Sequence, residues 1–231
     1  MITFTSFASG SRGNLYTAAT ANTKILLDCG ISKNKLMSCI KLSEIDGCFV
    51  SHEHQDHCKS VAEVIKRGIP TYMTAGTADT LGIDKNKVEI IHPGTQIRVS
   101  DDVSMIPFAT HHDAREPCGC ILQDTDGDAL LYATDTYFLD DIVNGLTTIC
   151  IECNHSYEIL KRRIWSGANK KLLNRITHSH LALETLLEWL IECDLSRCRE
   201  IYLLHMSDDN GDADGFRKTV EKVTGVPTII C

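Results

Sequence analysis

SHEHQDHC, Ser51 to Cys58, sets three histidines, a glutamate and an aspartate into eight positions directly after an apolar run. A stretch that follows a strand-like segment and precedes a helical pattern is a tight loop. His52 and His54 can point the same way, while Asp56 and His57 turn toward a neighbouring point. Imidazole nitrogens and carboxylate oxygens are ligands for zinc or manganese, and one ion takes at least three from the protein. Five imidazole or carboxylate groups in six residues are too many for one tetrahedral ion and suit two adjacent ions. Further donors must come from later strands, which offer His112, Asp135 and His205. A solvated helix cap with surface histidines is the plainer reading, and those later residues count against it.

Working outward, short apolar runs recur at 2–7, 24–30, 45–51, 88–92, 103–110, 129–135, 147–152 and 200–205, each of strand length. Helical patterns fall between them, at 33–42, 57–67, 75–82, 156–164, 181–193 and 213–223. In LALETLLEWLIEC, Leu183, Leu186, Leu187, Leu190 and Ile191 line one face. The alternation predicts an α/β protein, with two packed sheets covered outside by helices. Asp28, Ser51, His52, His112, Asp135, Glu152, Asn154, His155 and His205 all stand at or just beyond strand ends. Polar residues gathered on strand-end loops form a shared site.

The 231 residues, 43% of them apolar, can bury a real core, and one domain over 1–231 is expected. The net charge of −8 weighs against broad, non-specific duplex binding, which rests on a basic surface. Eleven cysteines in a chain of this size do not resemble a disulfide scaffold. The pairs in CIEC (Cys150 to Cys153) and CGC (Cys118 to Cys120) lie in apolar runs and read as core packing. No charged-then-apolar leader opens the sequence, and no apolar run approaches the roughly 18 residues of a membrane span. The expectation is a cytoplasmic protein with reduced thiols and no membrane partner.

His-x-His-x-Asp-His after an apolar strand, with Asp28 ending an earlier strand, resembles the metallo-β-lactamase superfamily over nearly the whole chain. ASGSRGN (8–14), LLDCG (26–30), HHDAREPCG (111–119), ATDT (133–136), IECNHSYEIL (151–160), SHLAL (179–183) and LLHMSDDN (203–210) resemble its branch of metal-dependent phosphodiesterases acting on DNA. The resemblance implies a four-layer αββα sandwich of two mixed sheets with helices outside. It implies two divalent transition-metal ions, zinc or manganese. His52, His54 and His112 would hold one ion, Asp56, His57 and His205 the other, and Asp135 would bridge them. Asp28 would orient the histidine loop without touching metal. The segment HDA selects His112 over His111. Ser60 stands where the family usually has glycine, and SHLAL departs from the branch's GHLSN.

The implied activity is hydrolysis of DNA phosphodiester bonds by metal-activated water, with Asp56 a candidate proton acceptor. Asn154, His155 and His180 are candidate rim residues for substrate. His155 or His180 would be the general acid, with His155 preferred because its whole segment matches. Ser11 and Asn14 are candidate phosphate contacts, or parts of a bare turn. DNA is favoured over RNA as partner, and a small cyclic or linear nucleotide is the alternative substrate. Other hydrolases, including thioesterases and β-lactamases, use the same core. A non-enzymatic binding module would have lost ligands, and none is missing. NGDADGFRKTVE (210–221) imitates a calcium loop, but it starts with Asn and follows a strand. A polar loop capping a helix from Asp212 or Asp214 is the better reading.

Overall fold

The computed structural model describes residues 1–231, with the side chain of Leu172 left aside. The chain divides into two compact units, Met1–Ala109 with Ala114–Tyr132, and Thr110–Asp113 with Ala133–Cys231. Its strands make two mixed sheets, flanked by helices.

In the first unit one sheet runs in chain order: β1 (Thr3–Ala8), β2 (Leu15–Ala19), β3 (Lys24–Leu27), β4 (Gly47–Phe49), β5 (Thr71–Met73) and β6 (Glu89–Ile90). The first three are antiparallel, and β3 to β6 are parallel. Parallel neighbours need crossovers, supplied here by α1 (Lys33–Cys39), α2 (Gln55–Cys58), α3 (Val61–Lys66) and α4 (Ala75–Leu81). Leu26, Cys48 and Met73 on the strands pack with Leu36, Val64 and Ala78 on the helices, all fully buried. The same unit holds the antiparallel run β7 (Ile97–Arg98), β8 (Val103–Ala109), β9 (Cys118–Asp124) and β10 (Ala129–Ala133).

The expected helix over 57–67 is two helices, because Ser60 leaves helical geometry. Its N–H donates to the Cys29 carbonyl (3.0 Å) and its hydroxyl to that of Ile31 (2.5 Å). The serine thus ties the turn after the histidine run to the end of β3.

In the second unit β11 (Thr148–Glu152), β12 (Glu200–Leu204) and β13 (Thr228–Ile230) are parallel. The helices are α5 (Tyr157–Trp165), α6 (Lys170–Ile176), α7 (Leu183–Glu192) and α8 (Ala213–Thr224). Asp212 caps α8 by accepting from the Gly215 N–H (3.0 Å), and Asp214 pairs with Arg217 and Lys218. The calcium-like segment therefore spends its carboxylates on its own helix. All eleven cysteines are free, and burial pushes the Cys118 and Cys153 thiols well up.

Candidate metal centre

Among the described residues, three non-glycine residues have positive φ: Asp28 (59°), Asp135 (44°) and His205 (49°). Each directly follows its strand, β3, β10 (one residue on) or β12. Left-handed backbone costs an L-residue about 1–2 kcal/mol, and strain of this kind gathers at functional sites. All three are residues that the sequence singled out.

In the first unit the histidine run is organised by Asp28, which is wholly buried. Its Oδ1 accepts from the Ser51 N–H (2.8 Å). Its Oδ2 accepts from the hydroxyls of Ser51 (2.9 Å) and Tyr132 (2.7 Å) and from His57 Nδ1 (2.7 Å). An ionised carboxylate only accepts, so His57 carries its proton on Nδ1 and keeps the Nε2 lone pair. Since the Ser51 hydroxyl proton goes to Asp28, that oxygen accepts from His52 Nδ1 (3.0 Å), and His52 also keeps a bare Nε2. That nitrogen faces His54 Nδ1 at 3.1 Å. Asp56 Oδ2 stands 3.6 Å from His57 Nε2. One carboxylate thus sets the tautomers of two imidazoles, the arrangement that orients metal-binding histidines.

The backbone fixes the loop as firmly. The Asp56 carbonyl accepts from the Asn14 N–H (2.7 Å) and side-chain amide (3.1 Å), and the His57 carbonyl accepts from the Cys29 N–H (2.8 Å). A Cβ on Gly30 would lie 1.6 Å from the Asp56 carbonyl oxygen, so only glycine fits there. Asn14, expected at phosphate, is fully buried, and its Oδ1 accepts from the Gly10 N–H and the Tyr16 hydroxyl, both at 2.9 Å. Its amide braces the turn and lies 3.0 Å from His57 Nε2. Ser11 is exposed.

In the second unit His112 Nδ1 donates to the Ser179 carbonyl (2.7 Å), leaving Nε2 bare at 3.5 Å from Asp135 Oδ2. Burial lowers the His112 pKa against the pull of Asp135, which favours the neutral, ligating form. His111 turns away and meets Asp140 at 2.7 Å. His205 Nδ1 lies 3.6 Å from Asp135 Oδ1 and 3.4 Å from Glu152 Oε1. Asp135, Glu152, His180 and His205 each offer a ligand atom, all within 4.8 Å of one another. The donor set of imidazoles and buried carboxylates fits a divalent transition-metal ion.

Sequence reasoning gave Glu152 no role in the site, although it stood among the strand-end polar residues. It is fully buried, and its Oε2 accepts from the N–H groups of Thr136 (2.9 Å) and Leu181 (3.1 Å). Its Oε1 accepts from His180 Nδ1 (2.6 Å). Burial works to lower the His180 pKa, but Glu152 outweighs it and the pKa rises. The rim position expected for Asn154 and His155 is not where this unit places them, because both are interior. Asn154 donates to the His205 carbonyl (2.8 Å) and so holds that strained residue. His155 is 0% exposed, neither ring nitrogen has a hydrogen-bond partner among the described residues, and burial lowers its pKa to about 4. His180 keeps some exposure.

Fold and donors together define a metal-dependent hydrolase of the metallo-β-lactamase fold. The chain belongs to the β-lactamase superfamily: the family described as "Beta-lactamase superfamily domain" matches residues 23–206. It is 26% identical to the exodeoxyribonuclease YycJ of Bacillus anthracis over 236 residues, covering 95% of this chain and 88% of that protein. It is 29% identical over 221 residues to the exodeoxyribonuclease WalJ of Streptococcus pneumoniae, covering 88% and 81%. The metallo-β-lactamase fold protein YhfI of Bacillus subtilis superposes with a TM-score of 0.76 at 15% identity, over 99% of this chain and 95% of that one.

Proposed function

We propose that residues 1–231 act as one domain, a dinuclear metal-dependent phosphodiesterase that degrades DNA as an exonuclease. The observation that carries this reading is that each unit brings buried imidazole and carboxylate donors, in a chain similar over nearly its full length to two exodeoxyribonucleases. As the family resemblance implies, His52, His54 and His112 would hold one ion and Asp56, His57 and His205 the other, with Asp135 serving both. When bound, two such ions supply an activated water and neutralise phosphate charge.

The chain's own groups do the rest. Asp28 keeps the lone pairs of His52 and His57 available. Asp56 is the proposed acceptor for the proton that water gives up. His180, held at Nδ1 by Glu152, presents Nε2 to protonate the departing 3′ or 5′ oxygen. His155, buried and neutral, ties its backbone to the chain just past His180, bridging Ala182 and accepting from the Leu183 N–H (2.8 Å). Eleven free cysteines support a cytoplasmic setting, and no helix among the described residues is long and apolar enough to cross a membrane.

The test incubates zinc- or manganese-loaded protein with labelled duplex DNA, single-stranded DNA, RNA and cyclic nucleotides. Mononucleotide release from a DNA end is the expected result. Cleavage of cyclic nucleotides alone would refute the nuclease reading and support the small-substrate alternative, which the net charge of −8 favours.

A further inference from the structure

In this acidic chain the fifteen residues from Lys161 to Arg175 hold six Lys or Arg and no Asp or Glu. They span the end of α5, a turn and most of α6. Lys161, Lys170 and Lys171 are exposed and make no ion pair among the described residues. At the last position of α5 stands Trp165, 88% exposed. Each feature alone is ordinary surface. Together they leave cationic charge unbalanced around a large aromatic face that nothing covers.

We propose that this α5–α6 arm binds the single-stranded part of a nucleic-acid substrate, with Trp165 stacking on a base and Lys161, Lys170 and Lys171 facing phosphates. The proposal rests on the nuclease reading above and names where its substrate is held. Single strands are bound by cationic tracks set with aromatic side chains, since every base has a stacking face. A bilayer would instead need a continuous apolar helix face. Here Leu160 and Leu173 are buried and Ile159, Ile164 and Ile176 are partly buried, so among the described side chains of the two helices the exposed large apolar ones are Trp165 and, at 37%, Tyr157, whose hydroxyl meets that of Thr185.

The arm also leads to the site within its own unit. Arg175 pairs with Asp113 at 2.7 Å, next to His112 in sequence. Residues 177–180 carry the chain from α6 to Ser179, whose carbonyl holds His112, and to His180. A strand lying on the arm would be delivered to the proton donor.

The test compares metal-loaded wild-type protein with Trp165→Ala and Lys170→Glu/Lys171→Glu, on a twenty-nucleotide oligothymidylate and on bis(4-nitrophenyl) phosphate. Both changes lie on exposed positions, and circular dichroism checks folding. The expected result is a KM for the oligonucleotide raised about 5- to 100-fold, with kcat and nitrophenyl turnover unchanged. In the double variant, the salt dependence of log kcat/KM should become shallower by about 1.4, for two lost single-strand phosphate contacts. Wild-type KM in both variants, with the oligonucleotide still degraded, would overturn the arm and leave the nuclease reading standing. If wild-type protein hydrolyses only the nitrophenyl diester, the nuclease reading fails and the arm's occupant with it. Trp165-dependent binding to phosphatidylglycerol vesicles, with oligonucleotide KM unchanged in the variants, would assign the surface to a membrane and overturn the proposal.

Discussion

Asp28→Asn separates the role of charge from that of shape at the centre of the histidine loop. The amide is nearly isosteric, and asparagine tolerates the positive φ of this position. Its orientation is forced. Nδ2 in place of Oδ1 would set two donors face to face at the Ser51 N–H, so Nδ2 must take the place of Oδ2. There it meets the Ser51 hydroxyl, the Tyr132 hydroxyl and His57 Nδ1, all of which can turn to accept. His57 then moves its proton to Nε2. The Ser51 hydroxyl, no longer donating to position 28, donates to His52 Nδ1, and that ring switches as well. Two lone pairs intended for metal become N–H groups. Loss of an orienting partner of this kind lowers metal affinity about 10–100-fold. Weakening charge-assisted bonds while keeping most partners costs about 1–3 kcal/mol of stability. Competition against a zinc chelator measures the first, urea unfolding of the apo-protein the second, and ¹⁵N chemical shifts of the histidine rings the tautomers. Unchanged ring shifts with unchanged zinc affinity would refute the reasoning.

Other outcomes follow from the same geometry. His112→Ala should abolish metal-dependent activity while His111→Ala retains most of it, because only His112 turns inward to Asp135; the reverse order in a nitrophenyl diester assay would show the register there to be misread. His180→Gln should lower turnover about 10²–10⁴-fold on DNA and much less on a nitrophenyl diester, whose leaving group departs without a proton; equal losses on both would argue for phosphate binding instead. For His155 the unfolded state binds more protons between its ordinary pKa near 6.5 and its folded value of about 4. Stability from this residue is therefore complete above pH 6.5 and is lost as pH falls toward 4. His155→Leu should remove that loss, on the order of 3 kcal/mol, and an unchanged slope of apo-protein stability between pH 7 and 4 would count against it.

The sequence exposed the site through residue types at strand ends, because strands are short, apolar and bounded, and a charged residue after one cannot hide. Asp28, Asp135 and His205 were legible for that reason. Their left-handed backbone was not, since Asp and His tolerate it without requiring it. Tyr132 and Glu152 show where such reading stops. In ALLYATD the tyrosine counts as one more apolar strand residue, and nothing in the spacing links it to a carboxylate 104 positions earlier. Glu152 ends a strand as visibly as Asp135, yet it satisfies two buried N–H groups and raises the pKa of a histidine 28 positions away. Depth was equally hidden. His155 and His180 carry the same ring at similar strand-end or loop positions, but one is sealed in the interior and the other rests on a buried carboxylate. Matching segments favour His155 as acid, but they report residue type and say nothing of burial. A proton donor needs a partner that raises its pKa and a path to substrate. Of these two histidines, His180 has a carboxylate at 2.6 Å and an exposed edge, and those tertiary contacts, which the sequence leaves hidden, support the proposal that it is the acid.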